Sequence, residues 1–193
     1  ELLNETPKMR RNDKAEAYAT LGQAYINQEQ YPAAADALYL AGKYTRNKAL
    51  RGRYYFIAAQ LYEKQHQKDS AAVAFEKVVK QNWKIPRKLW VEAQAGKARN
   101  KTFTPKEKAA FLAYLRKLEN RYEHKDFLDV LYYTHADLVK DPNKRLATDY
   151  YRQSLLHNKD NNPLKAKAHT RLSELYFDQK DYIGAYQYLD STL

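Results

Sequence analysis

The sequence predicts an all-α fold, a right-handed superhelix of about five stacked helical hairpins. Three observations support this prediction. No segment sustains the alternation of apolar and polar residues that is typical of a β-strand. The 193 residues include only five Gly and six Pro, too few for a turn-rich all-β fold. Alanines at positions 34, 71, 109, 147 and 185 are spaced by 37, 38, 38 and 38 residues, which indicates an internal repeat.

Each repeat is interpreted as two helices joined by a short turn. In the first repeat, Gly22 and Tyr25 lie on one face of a predicted helix, because they are three residues apart. Pro32 suits the start of the second helix, where its missing N–H has no helical partner to lose. Ala34 and Leu38 then share one face of that second helix. The small alanine allows the two helices to approach closely, and the leucine fills the space beside it.

The repeats are predicted near residues 15–48, 52–85, 89–120, 128–161 and 166–193, as a single array over residues 1–193. The third is degenerate and is recognised mainly by its period. Residues expected to pack the repeats are small residues at helix crossings and large residues beside them. They are Gly22, Tyr25, Ala34, Leu38, Tyr62, Ala71, Phe75, Ala147, Tyr151, Tyr176, Ala185 and Leu189.

Several helix starts are predicted from residues that cap a helix through a side-chain oxygen, often next to a proline. They are the capping box formed by Thr104, Pro105 and Glu107, the pairs Asp141-Pro142 and Asn162-Pro163, and Asp69 or Ser70.

The repeat pattern resembles that of the tetratricopeptide repeat: Leu-Gly-x-x-Tyr, eight residues, Ala, three residues and a large apolar residue. The unit from Leu128 departs from it, with His135 and Val139 in place of Leu and Tyr. The resemblance implies a superhelix that binds other proteins. The segments that carry it are "LGQAY" with Ala34 and Leu38, "AAQLY" with Ala71 and Phe75, and "LSELY" with Ala185 and Leu189.

Two longer segments, 51–79 and 174–192, resemble the repeat lipoprotein of the Bacteroidetes gliding-motility and type IX secretion apparatus. This resemblance implies a periplasmic, outer-membrane-associated scaffold whose partners are other proteins of that machine. The chain has no Cys, so a lipid anchor would lie outside it, and we interpret the sequence as a repeat region of a longer protein. The alternatives are a generic peptide-binding repeat module, for which a cytoplasmic location fits equally, and a basic nucleic-acid-binding helical repeat.

No motif of the sequence indicates catalysis. The five histidines are scattered and lack the paired spacing of a zinc site. A glycine-rich phosphate loop and a nucleophile elbow are also missing from the sequence. We therefore expect no enzyme activity, metal, cofactor or small-molecule substrate.

The formal net charge of +11 suits nucleic acid, an anionic membrane face or an acidic protein partner, and equally an ordinary basic surface. The 18 tyrosines would offer stacking platforms to single-stranded nucleic acid. About half of them, however, fall at repeat positions that pack helices together. We therefore do not expect a nucleic-acid partner.

The first helix of each repeat is predicted to line a concave groove. The exposed groove positions begin neutral, become basic and end acidic, which suits an extended peptide with an acidic stretch next to a basic one. The alternative is that they are ordinary exposed helix residues. These positions are Gln23, Asn27, Gln60, Lys64, Lys97, Lys101, Asp137, Asp141, Glu174 and Asp178.

Overall fold

The computed structural model describes residues 9–190, and all regular structure in that range is helical. The all-α prediction is confirmed for these residues. The ends of the predicted array, 1–8 and 191–193, lie outside them. The ten described α-helices are α1 (Arg11–Asn27), α2 (Tyr31–Tyr44), α3 (Lys48–Lys64), α4 (Lys68–Val79), α5 (Arg87–Asn100), α6 (Pro105–Glu119), α7 (Leu128–Val139), α8 (Lys144–His157), α9 (Asn162–Asp178) and α10 (Tyr182–Asp190). Short 3₁₀ helices cover Asn82–Lys84 and Tyr122–Phe127.

The chain divides into two compact units, one ending at Lys101 and one beginning at Thr102. In the first unit, α1 to α5 pack in chain order, each helix on the next. In the second unit, α6 to α10 do the same. The predicted third repeat, 89–120, is divided between the units, since α5 belongs to the first and α6 to the second. The number of repeats therefore stays a prediction.

Three turns that join the helices of a hairpin have the same backbone structure. They follow α1, α3 and α9, and each contains a residue with positive φ: Glu29 (58°), His66 (60°) and Lys180 (62°). The next residue donates its N–H to the carbonyl five positions earlier, at 2.9, 2.9 and 3.0 Å. This is the hydrogen bond of a Schellman motif, which satisfies the last carbonyls of a helix. The repeat is thus visible in backbone geometry.

Glycines mark the closest approaches between neighbouring helices of the first unit. A Cβ atom added at Gly22 of α1 would lie 2.7 Å from Cγ of Leu38 in α2. One added at Gly96 of α5 would lie 2.5 Å from the ring of Phe75 in α4. At these positions a hydrogen atom in place of a side chain lets a large residue of the neighbouring helix lie against the backbone.

The second unit has a core made by α7, α8 and α9. It combines small alanines with large apolar and aromatic side chains, as the repeat pattern requires. The buried members are Tyr133, Ala136, Val139, Ala147, Tyr151, Ala168, Leu172 and Leu175.

The capping box at the start of α6 is confirmed. The Thr104 hydroxyl accepts the N–H of Glu107, and the Glu107 carboxylate accepts the N–H of Thr104 at 2.9 Å. The prediction for α4 is wrong, because that helix begins at Lys68 and its N-cap, Gln67, makes no capping hydrogen bond through its side chain. Because the Schellman turn at His66 is short, α4 begins at Lys68, one residue before Asp69.

The two Pro-containing helix starts are each displaced from the predicted residue. Asn143, not Asp141, caps α8, and its side chain accepts the N–H of Leu146 at 3.0 Å. Asn161, not Asn162, caps α9 by accepting the N–H of Leu164. In both helices the cap is the asparagine whose side chain accepts the N–H of the third helical residue. It is not the residue that directly precedes the proline.

We expect Gly96→Ala to lower the free energy of unfolding by about 1–3 kcal/mol, because Phe75 is 1 % exposed and its ring has little room to move. Urea denaturation followed by circular dichroism measures this change. In a Phe75→Leu background, which removes the ring atoms nearest the new methyl group, the cost of Gly96→Ala should fall. An equal cost in both backgrounds would show that the contact with Phe75 is not its origin.

Candidate interaction surfaces

Four predicted groove positions lie on the surface of the first unit. Gln23 and Asn27 of α1 are exposed, and the Gln23 amide donates to Asn27 Oδ1 at 3.0 Å. Gln60 and Lys64 of α3 are also exposed. The Lys64 ammonium lies 3.9 Å from the ring centroid of Tyr31, a cation–π distance. These four side chains are therefore accessible to a partner.

The other two groove positions of this unit are partly buried. Lys97 Nζ lies 3.2 Å from Glu76 Oε2, and the Lys97 side chain is only 20 % exposed. The Glu76 carboxylate also contacts Lys80 at 3.1 Å. A hydrogen bond from Lys80, with a smaller contribution from Lys97, lowers the pKa of Glu76. Lys97 thus joins α5 to α4, and Lys101 follows directly as the C-cap of α5.

Asp137 of α7 stabilises the second unit from within. Its side chain is 19 % exposed, and Oδ1 accepts the hydroxyl hydrogen of Tyr151 at 2.7 Å. Arg171 Nε and Lys140 Nζ lie 3.9 and 3.7 Å from the same oxygen. Burial, followed by the charge of Asp137 and this hydrogen bond, raises the pKa of Tyr151. Asp137 therefore links α7, α8 and α9.

The remaining acidic groove positions are exposed, and two of them form ion pairs. Glu174 accepts a hydrogen bond from Arg171 at 2.7 Å, and Asp178 accepts one from Lys144 at 2.8 Å. Asp141 lies in the turn after α7. The predicted acidic end of the groove thus has cations of the same unit beside it, which reduce its net negative charge.

The positions expected to pack the repeats are mostly buried. Tyr25 and Tyr176 are half-buried, and Leu189 is 53 % exposed. The buried positions are Gly22, Ala34, Leu38, Tyr62, Ala71, Phe75, Ala147, Tyr151 and Ala185.

Leu189 belongs to an exposed apolar face on the last hairpin, together with Phe177, Tyr182, Ile183 and Tyr186. At the corresponding position of α4, Phe75 is buried because α5 packs on it through Gly96. The burial of Phe75 thus depends on the next helix, which the pattern of a single repeat does not reveal.

The positive charge is concentrated in the first unit. Residues 9–101 contain 18 Lys and Arg against eight Asp and Glu, whereas residues 102–190 contain 15 against 13. Because hairpin helices run antiparallel, α1, α3 and α5 begin on the side of the unit where α2 and α4 end. We call the cations on this side the basic edge. They are Arg10, Arg11, Lys14, Lys43, Arg46, Lys48, Arg51, Lys84, Arg87 and Lys88.

Contacts between neighbouring helix ends hold the first part of the basic edge together. Arg11 donates to the carbonyls of Lys43 and Tyr44 at 2.9 and 3.0 Å, and so joins the start of α1 to the end of α2. Arg10 and Arg11 line a cleft with Arg46, and Asp13 and Glu16 lie in the same cleft. Within this cleft Arg10 Nε lies 3.0 Å from Asp13 Oδ2, so the first part of the edge already contains a counter-charge.

The second part of the basic edge joins α3 to the segment before α5. A Cβ added at Gly52 would lie 2.6 Å from Ile85 Cγ2. Next to this contact, interaction with the Lys84 ammonium lowers the pKa of Lys48, and Arg51 adds to the effect. Trp83 is 73 % exposed, and the Lys84 ammonium lies 5.0 Å from its ring centroid. Sequence reasoning missed this surface, although the dense Lys and Arg of segments 43–53 and 80–88 were a signal for it.

A buried polar pair lies inside the second unit. His135 is fully buried, and its Nδ1 lies 2.7 Å from Glu119 Oε1. The imidazole stacks on Tyr150 with centroids 3.9 Å apart. Among residues 9–190, no three His, Asp or Glu side chains are grouped so that they could hold a metal ion.

No protein-family model matches the chain, and no curated protein matches it. In the described part of the chain, every helix is too short or too polar to cross a membrane.

We expect Tyr151→Phe to lower the free energy of unfolding by about 1 kcal/mol, since it removes a buried hydrogen bond to Asp137. Tyr186→Phe is the control, because Tyr186 is 68 % exposed. Urea denaturation of both variants measures the difference. Equal midpoints would mean that the hydroxyl of Tyr151 does not stabilise the core.

We expect the pKa of His169 to lie below its ordinary value of 6.5, mainly because of burial and secondarily because of the charge of Lys165. The fold then favours the neutral imidazole. Its contribution to stability is present above pH 6.5 and is lost as the pH falls through the lower, folded pKa. An NMR titration measures this pKa, which Lys165→Gln should raise only slightly. A value of 6.5 or more in the unmodified protein would contradict the assignment.

Proposed function

We propose that this chain is a non-enzymatic scaffold that binds other proteins through an array of tetratricopeptide-type hairpins. The repeated Schellman turns after α1, α3 and α9 carry the proposal. Three hairpins that close in the same way, in an order of packing that follows the chain, are typical of a solenoid. Such arrays present extended surfaces on which a partner segment lies.

The accessible groove positions of the first unit support a peptide-binding role. Gln23, Asn27 and Gln60 offer amides that both donate and accept hydrogen bonds, which suits the backbone of an extended peptide. Lys64 adds a positive charge at the end of α3. This surface is polar and lies on helices, so its geometry is defined before the partner arrives.

The narrower proposal is a component of type IX secretion and gliding motility at the periplasmic side of the outer membrane. Its support is the resemblance of segments 51–79 and 174–192 to the repeat lipoprotein of that apparatus. The partners would be other proteins of the machine. Membrane attachment would come from a lipid anchor outside this chain.

Site-specific photo-cross-linking tests the scaffold proposal. A photoreactive amino acid replaces Gln60 in the predicted groove, or Val73 in α4, which is 51 % exposed and serves as the matched control. Each variant is incubated with nuclease-treated envelope extract of a gliding Bacteroidetes species and irradiated. We expect the Gln60 variant to yield discrete protein adducts, identified by mass spectrometry as secretion components, and the Val73 variant to yield fewer.

Two results would contradict parts of this proposal. If neither position yields an adduct above the background of an irradiated blank, the scaffold role fails. If the adducts are discrete but come from outside the secretion machine, the chain is a repeat module with another partner.

A further inference from the structure

We propose that the basic edge of the first unit binds an acidic segment of a protein partner, with Lys48, Lys84 and Trp83 at its centre. This inference rests on the scaffold function proposed above and names the chemistry of one partner. It concerns a different surface from the predicted groove, at the ends of the helices and not along their sides.

The cations at the centre of this edge lack an ion-pair partner in the described part of the chain. Lys48, Lys84 and Lys88 form no ion pair with any carboxylate of residues 9–190, whereas Lys97 and Lys80 of the same unit both contact Glu76. Ammonium groups gather here because Ile85 packs against Gly52, which brings Lys84 beside Lys48. An anion placed between them would remove a repulsion that the free protein contains.

The position of these cations on their helices also opposes the helix dipole. Lys48 is the first residue of α3, and Arg87 and Lys88 are the first two residues of α5. The start of a helix carries partial positive charge and favours acidic residues. In addition, the N-cap of α5 is Pro86, whose side chain cannot cap a helix, so the first N–H groups of α5 lack that acceptor and suit an external one. Local rules are broken in this way mainly at functional sites.

The apolar residues at this edge favour a polypeptide over other anions. Trp83 is 73 % exposed and Leu50, in the first turn of α3, is 39 % exposed. Single-stranded nucleic acid needs a row of aromatic platforms, but Tyr44 at this edge is already stacked on Tyr18 with ring centroids 5.7 Å apart. A membrane surface needs a broad apolar face, which two separate side chains do not form. An acidic segment carrying one or two apolar residues fits both the charges and the apolar contacts.

Fluorescence anisotropy with the whole chain tests the inference. The probe is a short fluorescein-labelled peptide rich in Asp and Glu with one central Phe. The variants are Lys48→Glu and Lys68→Glu, which reverse the same charge at the first residue of α3 and of α4, at opposite ends of the hairpin. We expect Lys48→Glu to raise the Kd about fivefold or more and Lys68→Glu to raise it less than about twofold.

Two further measurements define the site. Lys84→Gln should weaken binding in the same direction as Lys48→Glu, because both lysines face the same anion. Trp83→Ala should weaken binding of the Phe-containing peptide more than binding of a matched peptide with Ala in place of Phe. Circular dichroism checks that each variant keeps its helical content. We expect no change for Lys48→Glu or Trp83→Ala, because both side chains are exposed.

Equal effects of Lys48→Glu and Lys68→Glu would overturn the proposal, since they would show attraction to net charge alone. Tighter binding of a single-stranded oligonucleotide, or of phosphatidylcholine vesicles containing phosphatidylglycerol, with loss on Lys48→Glu, would assign the edge to another class of ligand and would also overturn it. Cross-linking from Gln60 is independent of these results. Discrete adducts there, together with no peptide binding at the edge, would leave the scaffold function and remove only this partner.

Discussion

The close approach of neighbouring helices at residues without a bulky side chain is the constraint on which the structure depends. Leu38 packs against the backbone of Gly22, and Phe75 packs against the backbone of Gly96, each from the adjacent helix. Each helix therefore buries its apolar face against the next helix in the chain and needs no common centre. Because the contact is local, the same arrangement can repeat. Four of the five regularly spaced alanines are buried, namely Ala34, Ala71, Ala147 and Ala185, whereas Ala109 of α6 is exposed.

Tyrosine hydroxyls add a second, directional link between the helices. Tyr62 of α3 donates to Asp36 of α2 at 2.6 Å, and Tyr151 of α8 donates to Asp137 of α7 at 2.7 Å. In both pairs burial is the main cause of a raised tyrosine pKa, and the carboxylate acts in the same direction. The ring fills space as a large apolar residue would, while the hydroxyl fixes the register of the two helices. These two tyrosines therefore contribute to the packing through both the ring and the hydroxyl.

The all-α class and the packing of helices in chain order were predictable from the sequence, because small and large residues at helical spacing have few other ways to pack. The start of α6 was predictable for a similar reason, since Thr104 and Glu107 act on each other within one turn. The start of α4 was not predictable. It depends on the positive φ of His66, and a residue other than glycine gives no sequence signal for that conformation. The basic edge was harder to predict. Lys48 and Lys84 are separated by a whole hairpin in the sequence, and the packing of Ile85 against Gly52 brings their segments together.

The two units also differ in what a charged partner would have to displace. In the second unit, Asp178 and Glu174 already accept hydrogen bonds from cations of the fold. A basic partner would have to break those pairs, so the net gain from each new pair would be small. At the basic edge no carboxylate of residues 9–190 forms an ion pair with Lys48 or Lys84, so the proposed acidic partner would displace none there and would relieve the repulsion between the two lysines. Equal numbers of exposed charges therefore do not make equal binding surfaces. A cation that is unpaired in the free protein gains more when a partner binds. Lys48 and Lys84 have no ion pair with a carboxylate of residues 9–190, whereas Arg10 at the same edge already contacts Asp13 at 3.0 Å.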